Sequence, residues 1–366
     1  MKKSEIAEQF NVDGRLVTIR PTGSGNVNDT YLVVFRTTFS EQRFILQRIN
    51  TNVFAHPDWI MENLSILSNH VHKRLMAEAD ESDRIWQLPR VIPTRNGQDF
   101  FHDESTGYWR AITLIASADC FDRPQSTEHA FEVGSVLGQF HRLVSSMNPN
   151  SLRDPLPGFH ETPLYLQKYD QTVKCEHARK ELAASIEAKR LSKFIEERRG
   201  FTSVLQDALE RGELHTQLIH GDPKVSNIMI DRDTGKGTAI IDLDTVKPGL
   251  IHYDFGDALR SICNQEGEEA EDLNAVVFDL DLCEAFVQGY MQFAADFLSD
   301  ADRKYLYEAI RLITFELGLR FFEDYLAGNK YFKVSDEGQN LNRARVQFKL
   351  CESIETRRNK IQTLLD

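Results

Sequence analysis

Three oxygen-bearing side chains stand close together in one stretch of the sequence. Asp222 follows His220 and Gly221, Asn227 comes five residues after Asp222, and Asp242 lies in an apolar run. In phosphoryl transfer, a loop Asp accepts the proton of the attacking hydroxyl, while an Asn and a strand-end Asp hold Mg²⁺. The residue types and their spacing predict Asp222 as a catalytic base and Asn227 and Asp242 as magnesium ligands.

The segments around these residues predict a β-hairpin. Residues 227–230 and 238–243 are apolar and rich in β-branched side chains, and residues 231–237 between them are typical of a turn. The hairpin would place Asn227 beside Asp242, where two hard oxygen ligands suit Mg²⁺. The tripeptide ending at Asp222 could alone be a loop turn that caps a helix, but that alternative does not account for Asn227 and Asp242.

Further residues of this stretch support the same chemistry. Lys224 falls where protein kinases carry a lysine beside the transferred phosphate, and we predict a catalytic role for it. His220 matches the histidine of a kinase catalytic loop and is predicted to support that loop structurally. Asp254 has two interpretations, since its carboxylate either accepts backbone N–H groups of the catalytic loop or caps the helix that follows.

A turn of small residues lies between two predicted strands near the amino terminus. Its members are Gly23, Ser24, Gly25 and Asn26. Small residues let backbone N–H groups approach phosphate oxygens closely, which predicts a nucleotide-binding turn. Ordinary hairpins also carry glycine turns, so that interpretation stays open as well.

The next predicted strand, residues 43–49, carries no lysine at the place where kinases use one to bind phosphates. It offers Gln47 and Arg48 instead, and we predict Arg48 as a nucleotide contact. Because neighbouring side chains on a strand point to opposite faces, Arg48 could equally lie on the solvent face.

A buried strand at residues 108–115 leads into the small residues 116–119, which we predict to be a hinge. The prediction divides the chain into a nucleotide-binding lobe, residues 1–115, and a catalytic and acceptor-binding lobe, residues 116–366. Adenine would lie against the backbone at this edge, which predicts Thr113 and Ile115 as cofactor contacts.

Two predicted helices bear on the packing and on the acceptor. In the helix at residues 127–146, Gly134 and Gly138 would allow another helix to approach, and His141 is predicted to be structural. In the helix at residues 302–326, Arg320 stands four residues from both Glu316 and Asp324. It would form a surface salt-bridge ladder or point into an acceptor pocket that Tyr331 helps to close.

Composition limits the classes of function. The chain has 366 residues and a net charge of −13, which argues against a nucleic-acid partner. No apolar run is long enough to span a membrane, and the five scattered cysteines are typical of reduced cytosolic proteins. We therefore expect a cytoplasmic protein without membrane partners, monomeric or weakly homo-oligomeric, acting on a small molecule.

Gly221 stands where protein kinases carry Arg, and Leu243–Asp244 stands where they carry Phe–Gly. With these substitutions the chain resembles the aminoglycoside phosphotransferase and choline kinase-like superfamily, and within it the N-acetylhexosamine 1-kinases. The similar stretches are residues 23–31, 45–54, 220–227, 241–249, 252–257 and 320–332.

This resemblance implies an α+β, bilobal protein-kinase-like fold with a small β-rich N-lobe and a larger, mainly helical C-lobe. It implies transfer of the γ-phosphoryl group of ATP, with Mg²⁺, to the anomeric hydroxyl of N-acetylglucosamine or N-acetylgalactosamine. Asp222, Arg320 and Tyr331 would contact the sugar.

Two other functions stay open. The same fold could phosphorylate another small hydroxyl acceptor, such as another sugar, an amino alcohol or an aminoglycoside. The chain could also be a nucleotide-binding pseudokinase with a regulatory role, although such proteins usually lose a base or a metal ligand and this sequence keeps Asp222, Asn227 and Asp242.

Overall fold

The computed structural model describes residues 1–23, 27–78 and 85–366. Ser24, Gly25 and Asn26 of the predicted nucleotide-binding turn lie outside the described residues. Gly23, at the near edge of that turn, has a φ of 76°, in the left-handed region that glycine adopts without a steric penalty.

The first part of the chain forms an antiparallel sheet, with six strands in the part that the structure describes. They are β1 (Arg15–Pro21), β2 (Asp29–Arg36), β3 (Glu41–Arg48), β4 (Val91–Ile92), β5 (Phe101–Asp103) and β6 (Gly107–Thr113). The strand order is β1-β2-β3-β6-β4, and β5 pairs with β6. Helix α1 (Lys3–Ala7) adds Ile6 and Ala7 to a core on one face of this sheet, together with Phe44, Leu46 and Trp109.

The rest of the chain is mainly helical. Its helices are α3 (Thr127–Val144), α4 (Thr162–Thr172), α5 (Glu176–Ala184), α6 (Ile186–Arg198), α7 (Val204–Glu210), α8 (Ile251–Ile262), α9 (Leu280–Ala294), α10 (Asp300–Leu326), α11 (Gln339–Thr356) and α12 (Arg358–Leu365). Short strands lie among them: β7 (Ala118–Cys120), β8 (Gln217–Ile219), β9 (Ile228–Asp231), β10 (Gly237–Ile240) and β11 (Lys247–Gly249). The predicted α+β fold, a small sheet followed by a larger helical part, is confirmed.

Helix α2 (Pro57–Ala77) joins the two parts. It lies between strands of the small sheet in the sequence, but Ile60, Leu64 and Leu67 belong to the core of the helical part. Beyond residue 115, strand β7 pairs with β9 rather than with the small sheet. The boundary between residues 115 and 116 stays a prediction. Within the described ranges, no helix combines the length and apolar composition needed to cross a membrane.

Helices α3 and α9 approach closely because glycines lie where they meet. A Cβ atom added to Gly134 would lie 2.0 Å from the carbonyl oxygen of Phe286, and one on Gly289 would lie 2.0 Å from a carbonyl oxygen of α3. A Cβ on Gly138 would lie 2.6 Å from the carbonyl oxygen of Tyr290. The prediction that Gly134 and Gly138 allow close helix packing is confirmed.

We expect Gly134→Ala to destabilise the protein by about 1–3 kcal/mol, because the added methyl group meets backbone that cannot move without separating α3 from α9. Gly200→Ala is the matched control, since a Cβ atom there meets nothing within 4 Å. Urea unfolding of both variants gives the comparison. Equal stabilities for the two would show that the helices can separate at no cost.

Candidate active site

The predicted hairpin forms and brings the two proposed metal ligands to one end. Strands β9 and β10 pair antiparallel, with Ile228 opposite Ile240. The pairing extends one residue beyond these two, since the N–H of Ile241 donates to the carbonyl oxygen of Asn227 at 2.9 Å. Asn227 therefore lies beside the residue that precedes Asp242.

Asp254 holds the loop between β8 and β9 in place. Its carboxylate accepts the N–H groups of His220 at 2.6 Å and Gly221 at 2.8 Å, and His141 Nε2 donates to it at 2.9 Å. Burial alone would raise the pKa of Asp254. The hydrogen bond and charge of His141, together with the hydrogen bond from the backbone N–H of His220, lower that pKa instead. Leu250, not Asp254, is the N-cap residue of α8, so the first of the two predicted interpretations is the observed one.

His220 also has a fixed role in this loop. Its Nε2 donates to the carbonyl oxygen of Ile241 at 2.9 Å, and its Nδ1 accepts the N–H of Asp222 at 3.2 Å. One proton satisfies both contacts, and burial lowers the pKa of His220, which keeps the ring neutral. His141, between Asp254 and the hydroxyl of Tyr290, is a structural residue as predicted.

The Asp222 carboxylate lies next to both Lys224 and Asn227. Lys224 Nζ is 2.8 Å from Asp222 Oδ2, and Asn227 Nδ2 donates to that oxygen at 3.2 Å and to the Asp222 carbonyl oxygen at 2.7 Å. Burial would raise the pKa of Asp222, but the charge and hydrogen bond of Lys224 outweigh it and lower that pKa. Asp222 is thus a carboxylate at neutral pH, with part of its side chain open to solvent.

Asp242 occupies a backbone conformation that is rare outside glycine, with φ 61° and ψ 57°. Asp tolerates this region better than most residues, because its short side chain can bond locally. Desolvation by the surrounding protein, although the Asp242 side chain is itself exposed, and the charges of Asp244 and Asp222 raise the pKa of Asp242 to about 6, against the opposing charges of Lys224 and Arg110. A bound cation would relieve this repulsion between carboxylates.

The donor set around Asp242 fits Mg²⁺. The amide nitrogen of Asn227 donates to Asp222, and its Oδ1 accepts no hydrogen bond from any residue that the structure describes. The described residues contain no cluster of three His, Cys, Asp or Glu side chains able to hold a metal ion. One amide oxygen and one carboxylate suit an ion that takes its other ligands from water and phosphates.

A polar row crosses the small sheet and ends at Asp244. Thr30, Gln47 and Arg110 lie directly opposite one another on β2, β3 and β6. Gln47 Nε2 donates to Thr30 Oγ1 at 3.0 Å, Arg110 Nε donates to Gln47 Oε1 at 2.9 Å, and Arg110 Nη1 pairs with Asp244 Oδ1 at 2.6 Å. Asn28 Nδ2 donates to the other Asp244 oxygen at 2.6 Å. The segment that carries Asp242 is thereby tied to the small sheet.

Arg48 follows Gln47 on strand β3, so its side chain lies on the other face of the small sheet. It shares that face with Phe44 and Leu46 of the sheet core, and its guanidinium pairs with Asp29 at 2.9 Å while about half exposed at 49%. The prediction that Arg48 contacts the nucleotide is untested, but Arg110 is the arginine that reaches the Asp242 segment.

The predicted hinge carries a small apolar cluster. Ile115, Ala118, Met229 and Ala239 are buried against one another. Thr113 ends strand β6, and its Oγ1 accepts the N–H of Arg90 at 2.9 Å. The backbone N–H and C=O of Ile115 make no hydrogen bond to the described part of the chain. An apolar floor beside a free donor and acceptor is the environment that a purine base requires.

Arg320 lies among aromatic rings and not in a salt-bridge ladder. Its guanidinium carbon is 5.0–5.9 Å from the centroids of four rings, those of Phe159, Tyr165, Tyr331 and Phe332. It makes no ion pair or hydrogen bond with the described residues, so the alternative of a ladder is wrong. Desolvation would lower the pKa of Arg320, but the neighbouring phenols of Tyr165 and Tyr331 and the carboxylates of Glu316 and Asp222 raise it.

The neighbours expected to pair with Arg320 have other partners. Asp324 accepts the N–H groups of Lys330, Tyr331 and Phe332 at 2.8–2.9 Å and holds the turn after α10 against Arg320. Glu316 accepts from Thr162 Oγ1 at 2.7 Å and lies 3.0 Å from His160 Nδ1.

Comparison with known proteins agrees with this geometry. Residues 18–290 match the phosphotransferase enzyme family. The chain belongs to that family. The predicted membership of the aminoglycoside phosphotransferase and choline kinase-like superfamily is thus confirmed, at a level that leaves the acceptor unspecified.

Solved structures show that this phosphotransferase shares its whole fold with small-molecule kinases. A microcompartment-associated aminopropanol kinase has a TM-score of 0.59 at 18% identity, over 100% of this chain and 99% of that one. A choline kinase from Cryptosporidium parvum has a TM-score of 0.63 at 14% identity, over 98% and 96%. A spectinomycin phosphotransferase, solved with ADP and spectinomycin, has a TM-score of 0.53 at 12% identity, over 97% and 98%.

Three residues near the site of this phosphotransferase were not predicted from its sequence. Arg110 lies in a strand that was noted only as buried, although a charged residue within an apolar strand is itself a signal of an internal ion pair. Asp244 was noted only as a departure from the kinase pattern. His160 lies outside every motif described above, and nothing local in the sequence marks it.

We expect Arg110→Met to lower the free energy of unfolding by about 3–5 kcal/mol, because it leaves the buried Asp244 carboxylate without its cation. Arg48→Met, which removes an exposed pair on the same sheet, should cost about 1 kcal/mol or less. Urea unfolding measures the free energy of unfolding of both variants. Equal losses would show that the buried ion pair between Arg110 and Asp244 is not what stabilises the protein here. Asp244→Asn in the Arg110→Met background should recover part of the loss.

Proposed function

We propose that this chain is an ATP-dependent small-molecule kinase that phosphorylates the anomeric hydroxyl of an N-acetylhexosamine and releases the sugar 1-phosphate and ADP. Family membership supports phosphoryl transfer. The catalytic loop, with Asp222 between Lys224 and Asn227, supports a hydroxyl acceptor.

In the proposed reaction Asp222 accepts the proton of the acceptor hydroxyl. The hydroxyl oxygen forms the new bond to the γ-phosphorus, and the bond from that phosphorus to the bridging oxygen of ADP breaks. The lowered pKa of Asp222 keeps it ionised at neutral pH, ready to take the proton. An anomeric hydroxyl is more acidic than an ordinary alcohol, so a base of low pKa suffices.

The remaining residues orient the nucleotide. Asn227 and Asp242 would hold Mg²⁺, which when bound neutralises charge on the β- and γ-phosphates. The segment at residues 23–26, of which the structure describes Gly23, would bind the phosphates, and the hinge at Thr113 and Ile115 would take the adenine. Lys224, 2.8 Å from Asp222, balances the charge of the base and of the incoming phosphate. Arg48 and Arg110 are alternative cations for the small lobe.

The observation that supports a sugar acceptor is the surroundings of Arg320. A box of aromatic rings commonly binds a quaternary ammonium ligand, as choline requires. Here the box already encloses the cation of Arg320. A second positive charge would be repelled, whereas the hydroxyl and acetamide oxygens of a neutral sugar can accept the free guanidinium donors. Tyr331, about half exposed at 49%, presents its ring at the same place.

The other candidates have less support. Aminopropanol and choline kinases share the fold, but their named acceptors carry a positive charge at neutral pH, which the charge of Arg320 disfavours. A pseudokinase would not need Asp222, Asn227 and Asp242 together.

We expect Asp222→Asn to fold normally and bind ATP but to lose turnover by about 10²–10⁴-fold, the usual contribution of a general base. Glu176→Gln, at an exposed ion pair with Lys180 on α5, is the control and should keep wild-type turnover. A coupled ADP-release assay with N-acetylhexosamine measures both. Wild-type turnover in Asp222→Asn would rule out the proposed base.

Phosphorus NMR of ATP, Mg²⁺ and protein with a panel of acceptors tests the substrate. The panel comprises N-acetylglucosamine, N-acetylgalactosamine, glucose, galactose, choline and 1-aminopropan-2-ol. We expect a new resonance coupled to the anomeric proton of an N-acetylhexosamine and no product from the amines. Phosphorylation of choline or aminopropanol in preference to every sugar would overturn the acceptor assignment while leaving the kinase assignment intact.

A further inference from the structure

His160 is buried between the catalytic loop and the helix that carries Arg320. It lies before α4, is only 3% exposed, and adopts a φ of 68°, in the left-handed region. Histidine is among the few residues that visit this region with any frequency, and surrounding contacts must hold it there. Its ring packs against Tyr253 of α8, with the centroids 5.4 Å apart.

Both ring nitrogens of His160 face oxygen atoms, which act only as acceptors when Glu316 is ionised. Nδ1 lies 3.0 Å from Glu316 Oε1, and Nε2 lies 2.7 Å from the carbonyl oxygen of Gly221. The other oxygen of Glu316 accepts from Thr162 Oγ1 at 2.7 Å. When Glu316 is ionised, satisfying these contacts takes a proton on each nitrogen of His160.

The charges around His160 favour this state. Burial would lower the pKa of His160, but the hydrogen bond and charge of Glu316, the Gly221 carbonyl and the charge of Asp257 raise it. Burial would raise the pKa of Glu316. The hydrogen bond and charge of His160, the charge of Arg320 and the hydrogen bond from Thr162 lower that pKa instead. His220, in the loop that His160 contacts, is a contrast, since one nitrogen of its neutral ring faces a donor.

The peptide group that joins Gly221 to Asp222 is held from both sides. His160 donates to its carbonyl oxygen, and its N–H donates to His220 Nδ1. The plane of this peptide sets the direction in which the Asp222 side chain leaves the backbone. Glu316 lies one helical turn before Arg320 on α10, so the same ion pair connects the acceptor helix to the loop that carries Asp222.

We infer that His160, as an imidazolium paired with Glu316, is a positioning residue that orients Asp222 and couples it to the acceptor helix α10. This inference rests on the proposed role of Asp222 as the base. A misplacement of a reacting group by about 1 Å can cost about 100-fold in rate, so the orientation of one peptide is enough to affect turnover.

The inference predicts a loss of kcat at alkaline pH. The charged groups that face His160 are Glu316 from α10 and Asp257 from α8, and the phenol of Tyr253 packs against the ring. Because the pKa of His160 is raised, the imidazolium is present below that pKa and disappears as the pH rises through it. The bond to Gly221 or the one to Glu316 is then lost.

The decisive variant is Glu316→Gln, with Glu323→Gln as its control. Glu323 is also buried on α10, accepts from Thr172 Oγ1 at 2.7 Å and pairs with Lys168 at 2.8 Å, but has no contact with the catalytic loop. Glu316→Gln removes the charge that stabilises the imidazolium, so the alkaline limb of kcat moves to lower pH while KM for ATP stays unchanged. Glu323→Gln leaves the limb in place. An unmoved limb in Glu316→Gln, or an equal displacement in both variants, would overturn the inference.

Two further measurements guard against a folding defect and against failure of the proposed function. His160→Gln should lower kcat by about 10- to 100-fold, the range expected for a displaced reacting group, without a change in KM for ATP. Nitrogen-15 NMR of the histidine rings reports the protonation state of His160 without any acceptor present. The signal of His160 is assigned as the one that is missing in His160→Gln, and we expect it to be that of an imidazolium. No turnover by the wild-type protein would refute the proposed function, whereas a neutral His160 by NMR would refute this inference alone.

Discussion

The site depends on one buried carboxylate. Asp254 accepts two adjacent backbone N–H groups from the catalytic loop and a third hydrogen bond from His141, with no exposure to solvent. These N–H groups would otherwise be buried without partners, because Gly221 turns the chain at a φ of 87° where no regular structure can satisfy them. The carboxylate thus converts an irregular turn into a rigid support for Asp222.

Among the residues that the structure describes, the acidic groups Asp222, Asp244 and Asp254 are bonded to cations or donors, whereas Asp242 is bonded to none. Asp222 has Lys224, and Asp244 has Arg110 and Asn28. Asp242 has two acidic neighbours and a raised pKa, which is the condition that favours binding of a divalent cation. The proposed acceptor side has the opposite imbalance, because Arg320 lies among aromatic rings and forms no ion pair with any described residue. The two unbalanced groups mark where phosphate and acceptor would meet.

Much of this arrangement was predictable. The hairpin from Asn227 to Asp242 follows from two apolar segments around a turn, and the helix contact at Gly134 follows from small residues on an apolar helix. The hairpin depends on residues that are close in sequence, and the helix contact depends on residues that share one face of a single helix. The mistaken alternative was the ladder at Arg320, which assumed that neighbours at i−4 and i+4 would pair with it. They bond instead to the segments at His160 and Tyr331.

The sequence by itself determined the types of the reacting groups, their order and the strands and helices that carry them, because periodicity and turn chemistry are local properties. Only the tertiary structure decided which face of strand β3 meets the Asp242 segment, and so why Gln47 and Arg110, rather than Arg48, connect to Asp244. Strand alternation states which side chains share a face but not what that face will contact. The contact of His160 with Gly221 is likewise a product of folding, since the two residues are 61 positions apart and no local pattern links them.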